Sequence, residues 1–565
     1  MGSFSSRILT RKKRTRPPKN IGASSTSGDS DELPKTQYSK PAYVDSHPGY
    51  NDFLRAYPRF VESDLIDDLR EHDFTRLSRN AVYLDYMGGG QYPESLIRIY
   101  AETLQSNVFG NTHSESTSSQ LSEQYSQEAR DTVLSFFDAD PNEYLVVWTA
   151  NATAGLKLVG ESFPFTSESS LVLPTDAHNS VHGIRAFASR AGASVKYVPC
   201  LEDGGFNLEE ALRILQGLTE SSGSSGTRPR SLMALTGLSN LTNHKLSLPQ
   251  IVSAAQAHGI YTILDAAALA PTTRISLRKT PVDSMVVSFY KMFGFPTGVG
   301  ALIAKKRFLN ILERPWFAGG AVDLVQVPGV IATPAECMSS RFEEGTINYL
   351  TLPAVTAGIS MLSKYIDFLP VRLSSLYHYL YVQLSMLQYP DTKTPVVQLL
   401  TGKPSPPSDA PPHGYVLSFL VLDRKGGVVP LSHIEAVAAR KSRYELPIVA
   451  PALKPTFKHP RSRSHQNGLP THPSPLDQQS SRDSTLAERA IALRTGCACN
   501  PGGAAALLGA EPYMQLLEPG ATQRSLELVA GRELGVIRVS LGWVSDWSDI
   551  ATFIRFVASI PEVVG

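Results

Sequence analysis

Cysteine is scarce in this chain: four in 565 residues, at Cys200, Cys337, Cys497 and Cys499. Thiols spread this thinly exclude a disulfide framework and fit a reducing compartment, with Cys497 and Cys499 as one notable pair. Long apolar runs are also missing. None approaches the ~18 residues a membrane span needs, and there is no secretory h-region. No integral membrane segment is expected, and a soluble, cytoplasmic protein is the expectation. Charge of one sign is not in excess either: 53 basic residues face 52 acidic ones, for a net charge of +1. That balance removes any global electrostatic footprint for nucleic acid, and no nucleic-acid partner is expected.

What is present is enough apolar residue, 42%, to build a large core, and a length that suggests two to four domains. The first 28 residues hold seven basic side chains and no acid before Asp29. A nuclear or organellar address, a polybasic membrane contact and a myristoylation site on Gly2 compete there with a solvated, disordered tail. From about Pro48 the composition becomes globular. Short apolar runs (Tyr144 to Trp148, Ser170 to Leu173, Ser231 to Leu235, Tyr261 to Leu264, Met285 to Val287, Gly300 to Ala304) alternate with helical stretches such as Ile251 to Ala257. This pattern predicts an α/β fold with a mostly parallel sheet between crossover helices, and ligands at the carboxyl ends of its strands. The expected organisation is a tail over 1–47, a large domain with its N-terminal segment over 48–355, and a smaller α+β domain over 356–565. Two stretches break the pattern: a Gly/Ser loop at 218–230 and a Pro-, Ser- and His-rich insertion at 444–486, expected to be disordered.

Four sites follow the strands. TANATAG, Thr149 to Gly155, is a turn of small residues opening a helix. Its free N–H groups suit a phosphate, with Ala152 and Thr153 as candidates, although many such turns hold no ligand. In ILDAAALAP, Asp265 ends an apolar run and needs a partner if buried: a pyridinium nitrogen, or simply the N–H groups of a helix it caps. In SFYKMFGFPTGVG, Lys291 has Tyr290, Met292 and Phe293 for neighbours, surroundings that favour the neutral amine a Schiff base requires. An exposed lysine with a buried stem is the alternative. One strand-helix-strand unit separates Asp265 from Lys291, so both can reach one cofactor. In RTGCACNPGG, Cys499 lies in a Gly-rich loop near Arg494, electropositive surroundings that suit a nucleophile. Two metal ligands or a pair of unreactive small side chains are the other readings.

Taken in order, YLDYMGGGQYP (Tyr83 to Pro93), FGNTHSES, SFYKMFGFPTGVGALI, RFEEGTINYL, LRTGCACNPG and IRVSLGWVS resemble the class V aminotransferase group. Within it they resemble the cysteine desulfurase branch, and most of all the desulfurase-like N-terminal part of the eukaryotic molybdenum cofactor sulfurases. The resemblance covers about residues 79–440 and 487–560. It implies a fold-type I transferase with a seven-stranded sheet, pyridoxal 5'-phosphate (PLP) as cofactor, and a homodimer. It assigns Lys291 as the Schiff-base lysine, Asp265 as the partner of the pyridine nitrogen, and His178 as the imidazole stacked on the ring. Asn240 is assigned to cofactor and substrate, and Thr153 and Ser288 to the phosphate. Thr346 is assigned as a phosphate contact from the second subunit, and Arg494 and Arg538 as substrate-pocket arginines. Cys499 is the persulfide-forming cysteine.

Three departures stand out: Ala268 where many desulfurases have Gln, Tyr290 where many have His, and Ala504 where a third cysteine is frequent. No counterpart of the sulfurases' C-terminal cofactor-binding domain is expected before the last residue, Gly565. The implied reaction removes sulfur from L-cysteine, or a related amino acid, as a Cys499 persulfide and releases alanine, and it leaves the sulfur acceptor open. A lyase or aminotransferase of specialised metabolism, or a non-catalytic scaffold on the same fold, are the rival readings.

Overall fold

The computed structural model describes residues 48–201, 203–220, 229–440 and 490–564. The basic tail and the 444–486 insertion lie outside the described residues, as does most of the Gly/Ser loop. Among the described residues fifteen strands follow in chain order: β1 (Ala81–Tyr83), β2 (Tyr144–Thr149), β3 (Ser170–Pro174), β4 (Ser194–Val198), β5 (Leu232–Thr236), β6 (Tyr261–Asp265), β7 (Ser284–Ser288), β8 (Gly300–Lys305), β9 (Val322–Val325), β10 (Ala332–Pro334), β11 (Val397–Leu399), β12 (Val416–Val421), β13 (Ala490–Ala492), β14 (Arg494–Gly496) and β15 (Val536–Ser540). Seven of them form the central sheet, in the order β2-β8-β7-β6-β5-β3-β4. All pairings are parallel except those of β8, which runs antiparallel to β2 and β7. The six apolar runs read from the sequence are β2, β3, β5, β6, β7 and β8.

The runs are apolar on both faces because both faces are covered. Met285 and Val287 of β7, Leu264 of β6 and Ala301 and Ile303 of β8 enter one core, with Val133, Ile251 and Ile359 from helices. Val286, Ile263, Leu302 and Ala304, one residue out of step, enter the other with Leu156, Val159 and Ala188. Alternate side chains of a strand point to opposite faces, so a single run supplies both cores. Gly155 lets the helix Ala152–Ser162 lie close on the sheet: a Cβ there would meet Val286 Cγ1 at 2.7 Å.

A second, antiparallel sheet runs β11-β12-β15-β14. The N-terminal segment joins it from a distance in sequence: β1 pairs in parallel with β13, and Asp85 bridges to Ser540. The helix Asp64–Asp73 is clamped to the C-terminal helix Trp547–Val564 by Arg70, which is buried between Asp546 (3.1 Å) and Asp549 (2.8 Å). Chain order therefore brings residues 81–90 and 490–500 to the same end of the central sheet.

Candidate active site

Four parallel strands end at one crevice. β3 leads to His178, β5 to Asn240, β6 ends on Asp265, and β7 leads through the short helix Phe289–Phe293 to Lys291. Strand order reverses between β3 and β5, the position where open α/β sheets split to make a ligand crevice. Phe289, Met292 and Phe293 are buried and anchor the lysine turn. The glycine run seals it: the Gly90 N–H donates to the Tyr290 carbonyl (2.9 Å), and a Cβ on Gly90 would sit 2.9 Å from the Lys291 carbonyl oxygen. Lys291 keeps a partial opening onto a cavity lined by Tyr86, Ala267, Ala268, Tyr415 and Trp543. Burial pulls its ammonium below the ordinary lysine range; Asp265 and Asp85 oppose that shift, and Arg538 and Arg494 reinforce it.

Asp265 spends Oδ1 on the Ala267 N–H (3.0 Å), so the turn-capping reading is realised on one oxygen and Oδ2 is left for a ligand. His178 Nδ1 accepts from the Ser180 N–H at 3.2 Å. Its proton in the neutral form therefore sits on Nε2. Burial lowers the imidazole pKa, with the Lys291 charge adding to the effect. At the start of the helix Ala152–Ser162, the Ala152 N–H donates to Ser288 Oγ (2.9 Å) and the Ala154 N–H to Asn151 Oδ1 (2.9 Å). Thr153 Oγ1 lies 2.7 Å from Ser180 Oγ. Three hydroxyls thus ring a helix N-terminus, the donor set a phosphate takes. Thr236 Oγ1, buried at the end of β5 beside Asp265 in register, has no partner in the structure. A phosphate cradle, a half-buried carboxylate, an imidazole and an amine of lowered basicity together fit PLP.

Above the crevice lie Arg494 and Arg538, cross-strand partners on β14 and β15. Like charges in that register repel, and Asp85 resolves the conflict. Its Oδ2 accepts from Arg494 Nε (3.1 Å) and one terminal nitrogen (2.9 Å), and its Oδ1 accepts from Arg538. Arg538 is 2% exposed and its Nε has no partner, an unspent buried donor. Burial holds the Arg538 guanidinium below its ordinary range, while the Asp85 hydrogen bonds raise that of Arg494.

Cys499 follows β14 on an exposed turn where Ala498 (φ 48°) and Cys499 (φ 58°) both adopt left-handed backbone. Asn240 Nδ2 donates to the Ala498 carbonyl (2.8 Å), and the Asn179 N–H donates to that of Cys499 (2.8 Å). These bonds bring the cysteine turn to the His178 and Asn240 loops. Burial pushes the Cys200 thiol up to about 12, which makes it a small apolar side chain rather than a nucleophile. Among the described residues no group of His, Cys, Asp and Glu could hold a metal ion.

The structure thus gathers Lys291, Asp265, His178, Asn240, Ser288, Ala152, Thr153, Arg494, Arg538 and Cys499 around one crevice. Thr346 stands apart. It accepts from Asn111 Nδ2 (3.3 Å) and lines a cavity with Thr149, Ala150 and Ala154, without a bond to Ser288 or Thr153. The motif reading missed three residues: Asp85, inside YLDYMGGG, Asp176, two residues before His178, and Asn500, directly after Cys499. Asp85, half-buried between two arginines, lies 409 residues from Arg494 and carried no local signal. The bond from Asn500 to Asp176 joins positions 324 residues apart and had no local signal.

A family model described as "Aminotransferase class-V" matches residues 82–398. The molybdenum cofactor sulfurase of Bos taurus is 29% identical over 543 residues, covering 91% of this chain and 54% of that protein. The molybdenum cofactor sulfurase of Botryotinia fuckeliana is 31% identical, with 87% and 55% covered. The chain thus spans about half the length of the curated relatives it matches. An apo cysteine desulfurase from Thermococcus onnurineus NA1 superimposes with a TM-score of 0.63 at 18% identity, over 88% of this chain and 98% of that one, and so shares the fold.

Proposed function

The chain belongs to the class V aminotransferase family, and we propose that within it this PLP-dependent enzyme is a cysteine desulfurase of the molybdenum cofactor sulfurase type. One observation carries the reading. The Cys499 turn is fastened, through Asn240 and Asn179, to the same strand ends that present Lys291, Asp265 and His178.

Ser288, Thr153 and the N-terminus of the helix Ala152–Ser162 would hold the PLP phosphate, Asp265 its ring nitrogen and Lys291 its aldehyde carbon. Bound PLP supplies an electron sink for charge leaving the substrate α-carbon. Arg538 and Arg494 bind the carboxylate of L-cysteine, for which the free Arg538 Nε is a ready donor. Lys291, whose neutral form is favoured by burial, takes the α-proton as general base. His178, neutral and with its Nε2–H outward, orients the stacked ring and is placed to pass a proton near the leaving sulfur. The Cys499 thiolate attacks the substrate sulfur. The carbon–sulfur bond breaks, a sulfur–sulfur bond forms, and L-cysteine plus one thiol become alanine plus one persulfide.

Thr346 is proposed to reach the phosphate of a second copy, which fits its lack of a bond to Ser288 or Thr153 and makes the active form a homodimer. No helix among the described residues is long and apolar enough to cross a membrane, and a cytoplasmic setting is part of the proposal. The test is alanine release from L-cysteine. Cys499→Ala should abolish it while the visible absorbance of the bound cofactor persists; normal release by that variant refutes the sulfur-carrying step.

A further inference from the structure

We propose that Asp176 and Asn500 form a fixed joint that positions the Cys499 turn against the crevice, with the Asn240–Ala498 bond as its releasable latch. This inference rests on the proposed sulfur-carrying role of Cys499. Asp176 is buried and follows β3 two residues before His178; Asn500 is fully buried and follows Cys499 directly. Asn500 Nδ2 donates to Asp176 Oδ1 at 2.6 Å. The same carboxylate accepts from Ser239 Oγ (2.7 Å), Thr242 Oγ1 (2.6 Å) and the Gly205 N–H (3.0 Å). One buried acid, saturated by four donors from three separate segments, therefore ties the His178 loop, the Asn240 turn and the residue after the cysteine into one unit.

On its other side Asn500 starts a helix. Its Oδ1 caps the Gly503 N–H (2.9 Å), and its own N–H donates to the Cys497 carbonyl (2.8 Å). The helix start is pressed home: a Cβ on Gly502 would collide with the Thr175 carbonyl oxygen, and one on Gly503 would sit 2.7 Å from Asp176 Oδ1. The C-terminal flank of the cysteine is thus immobile. The N-terminal flank is held differently: the Cys497 carbonyl accepts from the Asn500 N–H, Cys497 and Ala498 pack on Leu241, Ala504 and Val536, and the Ala498 carbonyl accepts from Asn240 Nδ2. Ala498 has an uncommon left-handed conformation that persists only while surrounding contacts impose it. A cysteine that collects sulfur inside and delivers it outside needs this asymmetry: a pivot at Asn500 and a latch at Ala498. Asn240 is also placed to meet the cofactor and substrate, so a ligand that takes its amide would release the latch.

The joint is tested on holoenzyme in which Cys499 is alkylated with iodoacetamide and followed by peptide mass, a readout that needs no turnover. Asn500→Ala should raise the Cys499 alkylation rate by ~10-fold, as expected for local opening. It should also lower kcat for L-cysteine by ~10–100-fold with KM nearly unchanged, because misplacement of a reacting group costs rate rather than binding. Asn500→Asp sets two carboxylates against each other and should show the same pattern. The exchange Asp176→Asn with Asn500→Asp restores one donor and one acceptor between the two positions, but leaves Asn240 Oδ1, to which Asn500 Nδ2 also donates (3.1 Å), without that donor, and should recover part of both losses. Equal alkylation rates in wild type and Asn500→Ala overturn the joint, as does an exchange no better than Asn500→Asp alone. If Asn500→Ala loses the cofactor absorbance, the exchange comparison decides by itself. A wild type that forms no persulfide, together with the alkylation contrast, supports the joint and refutes the sulfur-carrying role instead.

Discussion

The two side chains proposed to react, Lys291 and Cys499, are held by opposite means. Lys291 stands at the end of a fully buried strand on a turn anchored by Phe289, Met292 and Phe293, where backbone pairing and apolar packing do the positioning. Cys499 is exposed on a turn of left-handed residues, and side chains from far along the chain (Asp176 and Asn240) hold it in place. The first arrangement suits a group that must stay in one orientation while protons move. The second suits a group that must travel, since a few hydrogen bonds can be exchanged for others without disturbing a core. Between them, the Arg494–Asp85–Arg538 cluster belongs to both regions, because β14 and β15 carry the arginines and the N-terminal segment carries the acid.

The most severe way to break the comparison is to remove the rigid member. Lys291→Ala should lower turnover of L-cysteine by at least ~10³-fold, and the absorbance of the lysine-linked cofactor should vanish, read by spectrophotometry and assay. Removing the mobile member separates the two regions: Cys499→Ser should form no persulfide, yet titrate with PLP as the wild type does. An intermediate effect is expected from Asp85→Ala. It leaves the buried Arg538 charge without its acid, which should cost ~3 kcal/mol of stability by denaturant unfolding. The same variant should raise KM for L-cysteine, since the two arginines lose their common anchor.

The smallest effect is a shift in pH. In the apo-protein, the pH at which Lys291 becomes reactive towards an amine acylating reagent should lie below that of an exposed lysine. Asp265 favours the ammonium, so Asp265→Asn should move the midpoint lower still. A midpoint moving upward would contradict the assigned electrostatics.

The two regions also differ in how far the sequence revealed them. The central sheet was legible because burial on both faces makes each strand a continuous apolar run; Asp265 and Lys291 stood out as candidates just after such runs, with a helix cap and an exposed lysine as open alternatives until the family resemblance assigned them. His178, Asn240, Arg538 and Thr346 carried no such local mark and were reached through family resemblance. The short strands β1, β13 and β14 have three residues each and gave no period to read. The pairing of β1 with β13 joins positions more than 400 residues apart, such as Ala81 with Ala490. Gly90, in the triple glycine at 88–90, gave no period to read either; its lack of a side chain lets the backbone close over the Lys291 turn.

The account stands on sulfur passing through Cys499. Holoenzyme incubated with L-cysteine in the absence of an acceptor, digested without reductant and analysed by peptide mass, tests it most directly. The account predicts one added sulfur atom on the peptide carrying Cys499, matched by one equivalent of alanine and absent from Lys291→Ala. Alanine or another product formed repeatedly with the Cys499 peptide unmodified would contradict it.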